Sequence, residues 1–135
     1  MAAGLASAGA HVMLLGRDLA TARDVAAQIT RDYGVEAMAF EADVTDLKSL
    51  QAAVDAAKAK WNRLDILINS AGINIRGPIT DLTGDQFDQV MRTNVHGSWN
   101  ACRSVLPTMK EARYGRIINM ASTLGTVGLA NRTPY

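Results

Sequence analysis

The sequence predicts a doubly wound α/β fold, a parallel sheet with helices on both faces. Two observations carry the prediction. Short apolar runs alternate with longer stretches of helical periodicity along the whole chain. One of those runs, Asp65 to Asn69 (DILIN), is almost entirely apolar, as a strand covered on both faces should be. No internal repeat or low-complexity linker interrupts the alternation, so residues 1–135 are expected to form a single domain.

The elements follow in order. His11 to Gly16 (HVMLLG) reads as a strand ending in turn chemistry. From Asp18 to Tyr33, Leu19, Ala22, Val25, Ile29 and Tyr33 recur at helical spacing, and Gly34 ends the helix. Ala37 to Asp43 reads as a second strand. Asp46 to Trp61 reads as a helix with Leu47, Leu50, Val54, Ala57 and Trp61 on one side, Trp61 as core. Asp65 to Asn69 is the third strand. Thr83 and Gln86 have capping-box spacing ahead of Phe87, Val90 and Met91. Helical pattern resumes from Asn94 to about Ala112, and Arg116 to Ala121 is the fourth strand.

Composition narrows the function classes. With 48% hydrophobic and 20% charged residues, a packed core is expected rather than disorder. A net charge of +1 gives no electrostatic reason for a nucleic-acid or acidic-membrane partner. The one cysteine, Cys102, cannot form an internal disulfide, which suits a reducing compartment. The Met1–Leu5 start lacks signal-peptide character, and no apolar run approaches the ~20 residues of a membrane span. A cytoplasmic location is the expectation. His11 and His96 have no ligand-spaced neighbours, so no metal site is expected.

In open α/β sheets, ligands bind beyond the carboxyl ends of the strands. The four strand ends lead into Gly16-Arg17-Asp18, Asp43-Val44, Asn69-Ser70-Ala71-Gly72 and Ser122. Ala71 and Gly72 are small enough for a flat ligand to approach the backbone closely. Each of these is equally readable as turn chemistry; all four together are harder to dismiss.

On these residues the whole chain resembles the short-chain dehydrogenases/reductases of the classical type. Leu5 to Ala10 is similar to the end of that family's first helix. Asp43-Val44 resembles its adenine-contacting pair, and Asn69-Ser70-Ala71-Gly72 its Asn-Asn-Ala-Gly motif. Asn94, Ser122 and Tyr135 resemble its catalytic asparagine, serine and tyrosine, the last two thirteen residues apart as is usual there. The resemblance implies a partial Rossmann-type sheet, lacking the first strand and the C-terminal part. The family's Thr-Gly-x-x-x-Gly-x-Gly loop would precede Met1, and its lysine would lie four residues beyond Tyr135. The sequence therefore reads as a piece cut at both ends.

The resemblance also implies a reaction: hydride transfer between a nicotinamide cofactor and a small-molecule carbonyl or secondary alcohol. Tyr135 would move the proton at the substrate oxygen, Ser122 would orient that oxygen, and the Asn94 backbone carbonyl would help hold a water. A free phenol has a pKa of ~10, and the family's lysine favours its phenolate. Arg17, Asp43, Val44, Asn69, Ala71 and Gly72 would hold the cofactor. The family position for an acidic, NAD-reading side chain holds Gly16, and Arg17 follows with a fork suited to a 2′-phosphate. NADP is favoured, with NAD possible. Asp18 reads as a helix N-cap.

Gly72 to Pro78 resembles the gluconate 5-dehydrogenase-like members. Arg76 there, like Arg132, reads either as a loop arginine or as a partner for a substrate carboxylate. Cys102 reads as core packing on an apolar helix face. The intact protein is expected to be a homo-oligomer, partly through residues 84–112. The alternative functions are a catalytically inactive fragment and a nucleotide-binding or interaction protein on the same fold.

Overall fold

The computed structural model describes residues 1–132 and 134–135. Its elements are α1 (Ala2–Ser7), β1 (Val12–Gly16), α2 (Leu19–Tyr33), β2 (Ala37–Glu41), α3 (Leu47–Trp61), β3 (Ile66–Asn69), α4 (Gly84–Met91), α5 (Gly97–Glu111) and β4 (Arg116–Asn119). A π-helical turn, Arg92–His96, joins α4 to α5, and a 3-10 turn, Thr123–Gly125, follows β4.

The strands form two parallel pairs. β1 pairs with β2, Val12 opposite Ala37, and β3 pairs with β4, Ile66 opposite Arg116. Among the described residues no hydrogen bond joins one pair to the other as a sheet. Successive side chains on a strand point to opposite faces. Accordingly Ala37 packs with Val12, Ala6 and Ile29, against α1 and α2, whereas Phe40 and Ala42 pack with Leu50 and Ala101, against α3 and α5. A third cluster, Val54, Val105 and Met109, joins α3 to α5 and reaches Leu67 and Ile117 on β3 and β4. Helices thus cover both faces of the β1–β2 pair, as in a doubly wound sheet.

Local signals set the helix ends. Asp18 accepts the Thr21 backbone N–H at 3.0 Å and opens α2; Asp46 accepts from Lys48 at 2.9 Å and opens α3. Thr83 and Gln86 form the reciprocal capping box of α4. Gly34 takes φ +67° beyond Tyr33, the left-handed conformation that stops α2.

Three expectations need correction. The inward stripe of α2 runs through Ala26 and Ile29, while Val25 and Tyr33 are exposed. Both fit a 3.6-residue period, but they lie on its margin, which the described residues leave uncovered. Trp61 is not core. Its ring stacks on His11 at 5.9 Å, and its Nε1 donates to Glu36 Oε2 at 2.6 Å. Glu36 lies below the ordinary carboxylate pKa because of the Trp61 hydrogen bond, then the Lys60 charge. An indole needs a partner for its N–H, which an acidic side chain at the start of β2 supplies. Finally, β3 is not covered on both faces: Ile66 is 38% exposed, and Ile118 on β4 is 45% exposed. Their apolar composition suits cover that the described residues do not supply.

Candidate functional site

A cavity of about 470 Å³ opens at the carboxyl ends of β1, β2 and β3. Gly16 and Arg17 line it from β1, Asp43, Val44 and Thr45 from β2, and Ala71, Gly72 and Ile73 from β3. Gln89, Arg92 and Thr93 close the far side. Five of the residues singled out in the sequence, Arg17, Asp43, Val44, Ala71 and Gly72, therefore meet in one place.

The Asp43-Val44 turn is braced from several directions. Asp43 Oδ1 accepts from Thr45 N and Thr45 Oγ1, both at 2.8 Å. These bonds, with the Arg17 charge as a smaller contribution, hold the Asp43 carboxyl below its ordinary pKa. The Asp43 N–H donates to Ser49 Oγ at 3.1 Å, and Ser49 Oγ donates to the Asp43 carbonyl at 3.0 Å. Asn100 Nδ2 donates to the Val44 carbonyl at 3.1 Å. A Cβ built on Gly97 would lie 2.6 Å from Val44 Cγ2, so the start of α5 can approach this turn only through a glycine.

Asn94 occupies the π-helical turn. Its Oδ1 accepts the Ile73 N–H at 2.9 Å, and its Nδ2 donates to the Ile73 carbonyl at 3.0 Å. A Cβ at Gly72 would meet Asn94 Oδ1 at 3.4 Å. The side chain thus fixes the segment leaving β3. Its backbone carbonyl accepts from Ser98 Oγ at 2.8 Å. π-helical turns widen a helix locally and recur at functional sites.

Asn69 stands apart from the cavity lining. Its Nδ2 donates to Asn119 Oδ1 at 2.8 Å and approaches Cys102 Sγ at 3.4 Å, so it ties β3 to β4 and to α5. Cys102 is half-buried against this amide. Ser122 caps the 3-10 turn, its Oγ accepting the Leu124 N–H at 3.2 Å and retaining its own proton to donate. Tyr135 is 46% exposed, and its N–H donates to the Arg132 carbonyl at 3.1 Å. Asn94, Ser122 and Tyr135 do not line the cavity. Arg76 is exposed, whereas Arg132 is half-buried and bridges in parallel to Gly77.

Sequence reasoning missed Thr45, Ser49, Gly97, Asn100 and Asn119. Only Gly97 carried a signal: a glycine inside a helical pattern marks close backbone approach. Asn100 and Asn119 act through partners far along the chain, whereas Thr45 and Ser49 act on Asp43, two and six residues away.

The donor set and the cavity suit the adenosine half of a dinucleotide. There is a free carboxylate oxygen on Asp43, a guanidinium on Arg17, a small-residue wall at Ala71-Gly72, and a volume in the usual range for ligand sites. Parallel strand pairs with such a cavity at their carboxyl ends define a Rossmann-type half-domain. The chain belongs to the short chain dehydrogenase family, whose profile matches residues 1–135. It is 36% identical over 135 residues to a D-threitol dehydrogenase of Mycolicibacterium smegmatis, covering 100% of this chain and 52% of that protein. A gluconate 5-dehydrogenase from Burkholderia cenocepacia, solved with NADP and tartrate, superposes with a TM-score of 0.90 at 33% identity over 99% of this chain and 52% of that one. An NAD+-bound xylitol dehydrogenase superposes with a TM-score of 0.90 at 30% identity, over 100% of this chain and 54% of that one. The chain spans about half the length of these relatives. The family is one of oxidoreductases. No helix among the described residues is long and apolar enough to cross a membrane.

Proposed function

We propose that these residues belong to an NADP(H)-dependent dehydrogenase that interconverts a secondary alcohol and a carbonyl in a polyhydroxylated substrate. The observation that carries this reading is the cavity joining Arg17 to Asp43, Val44, Ala71 and Gly72. Asp43 Oδ2 accepts from the adenine amine, Val44 packs on the base, and Arg17 pairs with the 2′-phosphate. Asn69 keeps β3 and β4 in register beneath the site. The bound nicotinamide supplies or takes the hydride. Tyr135 Oη hands the proton to the carbonyl oxygen, or removes it from the alcohol, and Ser122 Oγ donates to the same oxygen and orients it. Asn94 holds the segment after β3, and its backbone carbonyl helps to hold a water. Three of the similar proteins are dehydrogenases of threitol, gluconate and xylitol, which supports a polyol or sugar acid as substrate. Self-association belongs to the same reading. Phe87, Val95, Trp99 and Leu106 leave an apolar face exposed on α4, the π-helical turn and α5, suited to a second copy of the chain.

The test uses the full open reading frame that carries these residues. It should oxidise a polyol with NADP+. Tyr135→Phe should lower kcat by roughly a hundredfold or more, the usual scale of a lost acid–base group. The dissociation constant for NADPH should barely move. A Tyr135→Phe enzyme that keeps most of its turnover would refute the assigned role.

A further inference from the structure

The wall of the cavity that faces the strand ends is helical. Gln89 on α4, with Arg92 and Thr93 in the π-helical turn, lines it, and their spacing puts them on one helix face. This wall is fixed to the segment that leaves β3. Asn94, two residues beyond Arg92, clasps the N–H and the carbonyl of Ile73 at 2.9 and 3.0 Å, and Ile73 lines the same cavity. The Arg92 carbonyl accepts the Gly97 N–H across the widened turn. The backbone of Arg92 is therefore held in place at the rim of the cavity.

The side chains of this wall are not equally available. Thr93 Oγ1 donates to the Gln89 carbonyl at 3.1 Å, so its proton is used within the helix. Among the described residues, arginine side-chain hydrogen bonds and ion pairs are made by Arg31, Arg63 and Arg116, and none by Arg92. Arg92 is exposed and presents a flat cation to the cavity. Two further facts bear on what it meets. Arg17 stands at the end of β1, where its charge reaches the Asp43 carboxyl, so an anion at that end already has a cation beside it. Among the described residues, no aromatic side chain lines the cavity. A purine bound there with Val44 on one face finds no ring to stack on with the other. A guanidinium plane supplies that surface, because arginine both stacks on aromatic faces and is attracted to their electrons.

We propose that Arg92 is an adenine-binding residue, its guanidinium lying over the face of the base that Val44 leaves open. The contact serves NAD and NADP alike, whereas Arg17 distinguishes them. This rests on the dinucleotide reading above and adds a residue to it.

The experiment titrates NADP+, NAD+ and ADP-ribose by calorimetry into the full-length protein and into Arg92→Ala. ADP-ribose carries the base without the nicotinamide or the 2′-phosphate. Arg92→Ala should raise all three dissociation constants by a similar factor of about five- to thirtyfold, the worth of one partly shielded cation–π contact. Arg92→Lys keeps the charge and loses the plane, so its constants should stay close to those of Arg92→Ala. If Arg92→Ala does not fold, Arg92→Met, which keeps the length of the side chain and removes its charge and plane, repeats the test. A loss confined to NADP+ would make Arg92 a second ligand of the 2′-phosphate and overturn the proposal. Full recovery by Arg92→Lys would make it a ligand of some other anion and overturn the proposal equally. So would constants unchanged within about twofold, the spread expected of a residue with no part in binding. If the unmodified protein binds none of the three ligands, the dinucleotide reading itself fails and this proposal falls with it. The wild-type control therefore tells the two failures apart.

Discussion

Arg17 follows directly on β1, is exposed, and shares its cavity wall with Asp43, whose carboxyl its charge helps to keep ionised. A planar guanidinium in that position matches a 2′-phosphate and has little to offer a 2′-hydroxyl. In the full-length protein, Arg17→Ala should weaken NADP binding by roughly ten- to a hundredfold, since a charged hydrogen bond contributes about 1.5–3 kcal/mol. NAD binding should change far less. Titrating both cofactors by calorimetry checks this, and equal losses would show that Arg17 does not read the phosphate. At this scale the sequence was most legible where a residue acts on its immediate neighbours. Asp18 and Thr83 cap helices from their own spacing. Asn100 and Asn119 were opaque, because their meaning lies in partners set by the tertiary fold.

The junction of α4 and α5 shows how an element shapes the cavity. The π-helical turn Arg92–His96 carries Asn94 to Ile73, and one turn later Gly97 and Asn100 meet Val44. Periodicity alone showed helix on both sides of this junction and could not show the extra residue in the turn. One helix thus braces two strand ends, those of β2 and β3. Gly97→Ala tests the brace. The added methyl would sit 2.6 Å from Val44 Cγ2 and 3.0 Å from Val44 Cβ, on a backbone that Asn100 and Ser49 hold in place. Such overpacking costs about 1–3 kcal/mol. The full-length protein should therefore melt at lower temperature and bind dinucleotide more weakly. Gly97→Ala combined with Val44→Ala should recover much of the loss, because the two residues share one contact. Strictly additive effects in thermal denaturation would show that the collision is relieved elsewhere.

Across the whole molecule, the fold class was legible because alternation of strand and helix is a long-range pattern that single boundaries do not disturb. What composition could not reveal is how much of the sheet these residues cover. β1 bonds only to β2, and β3 only to β4, so among the described residues each strand keeps one edge unpaired. Apolar side chains on or beside the strands remain open to solvent: Leu15 at 43%, Ile118 at 45% and Met120 at 52%. The buried core divides into three small clusters rather than one. A domain is stable by only about 5–15 kcal/mol, and each buried polar group without a partner removes about 1–3 kcal/mol. Open edges also invite strands from other chains. Residues 1–135 by themselves should therefore aggregate, or fold loosely, or gain order by recruiting a strand from a second molecule. Thermal unfolding followed by circular dichroism, size-exclusion chromatography and NADP titration of this chain test the point together. A monomer that unfolds cooperatively and binds NADP at micromolar concentration would mean that two strand pairs and their helices suffice for a stable site. The expected result is a broad transition, a mixed or aggregated elution profile and no saturable NADP binding. The contrast with the full reading frame then measures what the unpaired strand edges cost in both stability and ligand binding.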